Sequence, residues 1–231
     1  MMDFSATECI KFGWETFKKR PWFFIGVFTL YFVVTFAVSY ILAPFETVWP
    51  DPQNNIPADF SLPRIAVDIL DFVISSFLTM TLIVFSIKVY DMPDATQMKD
   101  AWKPEVFLNY FVTTFLFMLI CVIGFILLIV PGFIALSTFL FAPYIVVDKG
   151  MGPIAALKES MTITRGRRME VFLFFIANIG VMILGALALV VGLLVAIPVT
   201  YFATVRAYRV LTAKAESIIT TSTSTSAPVV G

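Results

Sequence analysis

The sequence predicts an all-α polytopic membrane protein. It should have six transmembrane helices as three hairpins, each preceded by a short amphipathic cytoplasmic helix. Three observations predict this. Of 231 residues, 59% are hydrophobic and only 14% charged, where a soluble domain carries about a quarter charged. The uncharged runs are long enough to cross a bilayer core of about 30 Å, which takes about 20 helical residues. Finally, fifteen of the sixteen lysines and arginines fall on alternate connections between those runs, and such residues accumulate on the cytoplasmic side.

The first 21 residues read as a cytoplasmic amphipathic segment. Ser5 and Glu8 have capping-box spacing, and Ile10, Trp14 and Phe17 fall at helical intervals. Residues 22–43 form the first span. It is too long for the apolar region of a signal peptide and no clear cleavage site follows, so it should be retained. An outer loop of about 44–63 carries Glu46, Asp51 and Asp59. The second span, 65–87, contains Asp68 and Asp71 near its start.

A second amphipathic segment starts at Asp94, a good N-cap, with Ala95, Met98 and Trp102 on one face. The chain is then uncharged for 42 residues, Val106 to Val147. One helix of that length would reach about 63 Å, twice the core thickness, so it must fold back. Pro131-Gly132 supplies the turn, giving spans of 106–125 and 129–147. A third amphipathic segment follows Gly152-Pro153, with Ile154, Leu157 and Met161 on one stripe. Another 35 uncharged residues, Val171 to Val205, again suit two crossings, 171–189 and 193–210. Gly192 and Pro198 mark the neighbourhood of that break. Residues 211–231 read as a cytoplasmic, largely disordered tail, since the Ser/Thr run from Ser217 is polar and of low complexity.

The charges support six spans independently. Only Arg64 falls on the outer side; a five-span arrangement would weaken the asymmetry to twelve against four. Both termini are therefore expected in the cytoplasm, with the chain in the cytoplasmic (inner) cell membrane. The lipid bilayer is the expected partner, with anionic lipids and other membrane proteins as further candidates and no nucleic acid.

The chemistry-bearing residues are few. There is no histidine, which removes the commonest general base and catalytic metal ligand. Cys9 and Cys121 lie far apart, so a disulfide framework is not expected. No phosphate-binding loop, dinucleotide fingerprint or zinc-helix motif is present. No catalytic residue, cofactor or metal site is expected. Asp68, Asp71, Asn109 and Asn178 form a candidate intramembrane polar set. Carboxylates in a span often mark an ion or proton path. Yet Asp71 lies about 10 Å along the helix from Arg64, so both acids also suit an interfacial structural role, with Arg64 pairing Asp68 across one turn. The asparagines need partners and should face the bundle interior. Gly192, Ala196, Thr200 and Thr204 recur every four residues, a spacing that suits close helix packing or a substrate-lining stripe. Arg165, Arg167 and Arg168 are a candidate anionic-lipid contact, or a topology signal only. Ser160 has no base motif nearby and reads as a packing position.

The strongest local signature runs P-G-F-I-A-L-S-T-F-L-F-A-P-Y-I-V-V-D-K-G from Pro131, then G-P-I-A-A-L-K-E-S and T-R-G-R-R, with Tyr208-Arg209-Val210-Leu211 near the C-terminus. This resembles the membrane domain attached to some bacterial glycerophosphoryl diester phosphodiesterases, and related stand-alone six-helix bacterial membrane proteins. The resemblance implies a polytopic bacterial membrane protein. In the fused relatives the hydrolase is a separate soluble barrel using carboxylate metal ligands and histidine. This chain has no histidine, so the hydrolase activity does not carry over. The expected function is a non-enzymatic membrane module that supports or assembles partners. The alternative is a small-solute or lipid transporter or handling protein using Asp68 and Asp71.

Overall fold

The computed structural model describes residues 4–47, 62–92 and 103–225. Among these residues all regular structure is helical. The helices are α1 Ala6–Lys19, α2 Pro21–Thr47, α3 Leu62–Asp91, α4 Phe107–Leu127, α5 Ile129–Phe139, α6 Ala142–Lys149, α7 Pro153–Ile163, α8 Arg168–Leu187 and α9 Leu189–Thr225, with a 3-10 turn at Pro104–Val106 before α4. Six stretches are long and apolar enough to cross a membrane: Pro21–Pro44, Arg64–Asp91, Pro104–Leu127, Ile129–Lys149, Arg168–Leu187 and Gly192–Ser217. Helices suit this setting because hydrocarbon offers no water to satisfy backbone groups. The fold is thus an all-α polytopic membrane bundle.

The hairpin turns are tighter than expected. Between α4 and α5 a single residue, Leu128, is extended (φ −167°, ψ 154°). Pro131 then sits in the first turn of α5, where its missing N–H costs nothing. Gly124 and Gly132 let the two helices touch: a Cβ on Gly124 would lie 3.0 Å from the Gly132 Cα. The second tight turn is at Ala188, four residues before Gly192. There Gly185 and Gly192 bring α8 and α9 together, since a Cβ on Gly185 would lie 3.0 Å from the Gly192 carbonyl oxygen. Pro198 does not end the span but lies inside α9. Pro143 does interrupt its span, which is divided at Leu140–Phe141 into α5 and α6.

The amphipathic segments differ in orientation from the expected stripes. Ser5 is the N-cap of α1, but its side chain makes no capping bond. Cys9, Gly13, Thr16 and Phe17 are the buried face, and Trp14 is 45% exposed. The reason is Gly13. Its hydrogen lets α1 settle directly onto the α9 backbone, where an added Cβ would meet the Val199 carbonyl oxygen. In α7 the buried side chains are Ala156, Ser160 and Ile163, while Ile154 is 64% and Met161 42% exposed. The segment from Asp94, with Ala95, Met98 and Trp102, lies outside the described residues, as does the loop 48–61.

At the C-terminus the expected disordered tail is replaced by helix as far as Thr225. Leu211, Ala213, Lys214, Ala215 and Glu216 are good helix formers, and proline next occurs only at Pro228. Residues 226–231 lie outside the described set.

Two buried clusters form the core. One centres on Phe141, Ile145, Val146, Phe174 and Tyr208. The other joins Phe24 and Phe28 of α2 to Phe85 of α3 and Phe202 of α9, with Phe24 and Phe202 edge to face at 4.9 Å. Phe36, Tyr40 and Ile41 further along α2, and Ile126–Val130 at the α4–α5 turn, are exposed. The bundle is therefore packed at the end that carries Asp91, Asp148 and Arg209, and its apolar surface at the other end faces outward.

Candidate functional site

Three helices meet at the packed end through one arginine. Arg209 of α9 donates from Nη1 to Asp148 Oδ2 at 2.9 Å and from Nη2 to Asp148 Oδ1 at 3.0 Å. The same Nη2 donates to Asp91 Oδ2 at 2.8 Å. The Tyr208 hydroxyl adds a 2.7 Å bond to Asp148 Oδ2. A planar guanidinium suits this forked contact, and charge-assisted bonds of this kind are about twice as strong as neutral ones. The clasp closes α3, α6 and α9 together. Beside it, Lys149 bridges Glu159 of α7 at 3.2 Å and Glu216 of α9 at 3.7 Å. Gly150 then turns the chain in the left-handed region (φ 65°), capping α6, which requires glycine at little cost.

Helix α7 docks through the break at Pro143. Ser160 Oγ donates to the Thr138 carbonyl at 2.8 Å, and Thr164 Oγ1 reaches the same oxygen at 3.3 Å. Both side chains are buried. Proline cannot continue the helical ladder, so the backbone near it needs side-chain partners of this kind. Ser160 is thus a packing residue, as its sequence context suggests.

Between α5–α6, α8 and α9 lies a cavity of about 590 Å3, within the size range of small-molecule sites. Its walls are mostly apolar, with Leu140, Phe174, Phe175, Met182 and Ile197 among them. Tyr144, Asn178, Thr200, Tyr201 and Thr204 are the polar contributors. Thr200 and Thr204 spend their hydroxyl hydrogens on helix carbonyls, those of Ile197 at 2.8 Å and Thr200 at 2.7 Å. Asn178 Nδ2 donates to the Phe174 carbonyl at 3.1 Å. That contact fixes which amide atom is nitrogen and leaves Oδ1 as the free end. Oδ1 is buried without a partner. Among the described residues no charged side chain lines the cavity, so an ion held there would be uncompensated. What it can accommodate is a neutral apolar body.

The sequence-predicted residues are not one cluster. Asn178 lines the cavity, but Asp68 and Asp71 do not. Asp68 is exposed and lies 4.0 Å from Arg64, one turn away, as the spacing suggests. Asp71 is half-buried, with Oδ1 lacking a bond. From Asp91, twenty residues of α3 reach Asp71, about 30 Å, a full core thickness. Asn109 sits in the first turn of α4 and accepts, through its carbonyl, the Thr113 hydroxyl at 2.7 Å. The four-residue stripe divides: Gly192 and Ala196 pack against Gly185, while Thr200 and Thr204 line the cavity. Of the three arginines, Arg167 pairs with Glu170 at 3.1 Å; Arg165 and Arg168 are exposed. Among the described residues no three His, Cys, Asp or Glu side chains come together as metal ligands would.

Sequence reasoning missed the clasp and the tyrosines of the cavity. Asp148 and Tyr208-Arg209 stand in the two quoted signature segments, but a tally of lysines and arginines by loop uses Arg209 only as a topology signal and passes over Asp148 and Tyr208. The useful clue was the acid and the arginine placed at the same ends of two different spans.

No curated protein and no solved structure matches the chain. A family model described as Domain of unknown function (DUF7847) matches residues 105–227, the stretch that supplies Asp148, Tyr208, Arg209 and the whole lining of the cavity. The chain belongs to the DUF7847 family.

Proposed function

We propose that the chain is a non-enzymatic membrane module that holds a neutral, lipid-like molecule between α8 and α9. The cavity of about 590 Å3 carries the reading: its walls are apolar, with Asn178 among the few polar residues that line it. A hydrocarbon body satisfies such walls. The uncharged lining speaks against ion coupling through this space, and Asp68 and Asp71 lie apart from it. In this reading both termini face the cytoplasm of the cell membrane. The support is the placement of fifteen of sixteen positive charges on one side. The resemblance to the membrane domain of glycerophosphoryl diester phosphodiesterases belongs to the same proposal and rests on the two signature segments of the sequence.

The test is gentle extraction into detergent and mass spectrometry of what co-purifies. A neutral amphiphile near one per chain is expected. Asn178→Leu should lower its retention, and Thr200→Phe, which fills the space, should abolish it. Equal retention in all three proteins overturns the proposal. A second reading, a scaffold for partner proteins, draws on α9. Its 37 residues reach about 55 Å, well beyond a core of about 30 Å. A protein partner near one-to-one, with no enriched lipid, would favour it.

A further inference from the structure

A second groove, sharing no residue with the cavity, lies between α5 and α8. Val130, Phe133 and Ile134 form one wall, Met169 and Phe172 the other, and Arg168 also lines it; its volume is about 280 Å3. The Ser137 hydroxyl at its base is spent on the Phe133 carbonyl at 2.8 Å, so the floor offers no free donor. Val130, Ile134 and Met169 are exposed, which opens the groove to hydrocarbon. From Val130 to Ser137 is about 10 Å of helix, room for part of one chain and not for a whole lipid.

The charge at this groove is uncompensated. Arg209 is held by Asp91 and Asp148, Lys149 by Glu159 and Glu216, and Arg167 by Glu170. Arg168 and Arg165 have no acidic partner among the described residues. A guanidinium at the edge of a membrane reaches for the headgroup level, and basic pockets between spans bind anionic headgroups.

We propose that this groove binds an anionic phospholipid, one acyl chain lying along α5 and α8 and the phosphate held by Arg168. Arg165, exposed three residues earlier in the same link, favours a net negative headgroup over a zwitterionic one. The site goes beyond the proposed function and stands or falls separately, since a neutral ligand in the cavity needs none of these residues.

The test reconstitutes the full chain into vesicles of phosphatidylcholine with a minority of phosphatidylglycerol. The lipid retained after detergent extraction is then quantified against the input. Phosphatidylglycerol should be enriched several-fold with the wild-type chain. Arg168→Gln should remove most of that enrichment, and Arg168→Lys should restore part. Ile134→Trp fills the groove from its exposed rim and leaves every charge in place; it too should lower the enrichment. No enrichment in the wild type overturns the proposal. So does full enrichment in Arg168→Gln. Full enrichment in Ile134→Trp also overturns it, because attraction would then come from charge alone without the groove.

Discussion

Replacing Arg209 by methionine removes the guanidinium from the clasp and keeps most of the apolar stem. Asp148 is left with only the Tyr208 hydroxyl. Removing one partner of a buried ion pair costs about 3–5 kcal/mol. This pair is not fully buried: the side chains of Asp148, Arg209 and Asp91 are 15%, 27% and 41% exposed. Some of the lost interaction is returned by water, which brings the expectation to about 2–3 kcal/mol.

The double variant Asp148→Asn with Arg209→Met should recover more than about 1.5 kcal/mol of the loss, because Asp91 alone is well solvated and neither buried charge remains. The assay is reversible unfolding in mixed micelles, followed by tryptophan fluorescence. A loss under about 0.5 kcal/mol for Arg209→Met, or two single variants whose effects simply add, would refute the clasp as the fastening of α3, α6 and α9.

Three further outcomes follow from the packing. Gly13→Ala places a Cβ 3.1 Å from the Ala203 nitrogen and against the Val199 carbonyl; both are backbone and cannot swing away, so about 1–3 kcal/mol should be lost. Gly26→Ala, with nothing within 4 Å, should be neutral or stabilising, and equal effects would contradict the close approach. Ser160→Ala should cost about 1 kcal/mol in the same unfolding assay. Adding Thr164→Val should cost more than the sum, because the Thr138 carbonyl then has neither hydroxyl donor. Finally, burial pushes the Cys9 thiol up to about 11, against the opposing pull of Arg206. Maleimide labelling of Cys9 in the folded protein should be negligible at pH 7 and rise steeply above pH 9. With the folded value above the thiol's ordinary 9.0, the neutral thiol's contribution to stability is whole below pH 9 and is lost as pH rises toward 11. Rapid labelling at pH 7 would mean that α1 does not stay on α9.

What was legible in the sequence is what the thickness of a bilayer dictates. An uncharged run of 42 residues has to cross twice, and 35 residues also suffice for two crossings, so six spans follow from length. The start of α7 after Gly152-Pro153 was equally plain, since proline fits a first turn and glycine fits the position before it. The turns were placed less well. Gly192 suggested a break, yet its structural work is to let α9 pass close to Gly185, with the chain reversing at Ala188. A glycine that opens space and a glycine that bends the chain carry the same letter.

The rotation of each helix was the least legible feature, and the cause is the solvent. In water an apolar stripe points to the protein interior, because burial there is what stabilises it. In a bilayer, lipid is as apolar as leucine, so that rule loses its force and small or hydrogen-bonding residues choose the interface instead. The same inversion extends to the two amphipathic helices. Ile154 and Met161 look like the inner face of α7 but stand outward, and Ala156, Ser160 and Thr164 are the ones that pack. In α1, Gly13 outranks Trp14 for the same reason. The candidate site obeys this logic too. Its walls could be read as lipid-facing surface of α8 and α9. What distinguishes them is a set of polar side chains (Tyr144, Asn178, Thr200, Thr204) that converge from three helices on one apolar space. Searching spans for polar groups that converge from different helices would have found the cavity and the clasp together. Searching for acids alone leads to Asp68 and Asp71, which sit where α3 has already traversed a full core thickness from Asp91.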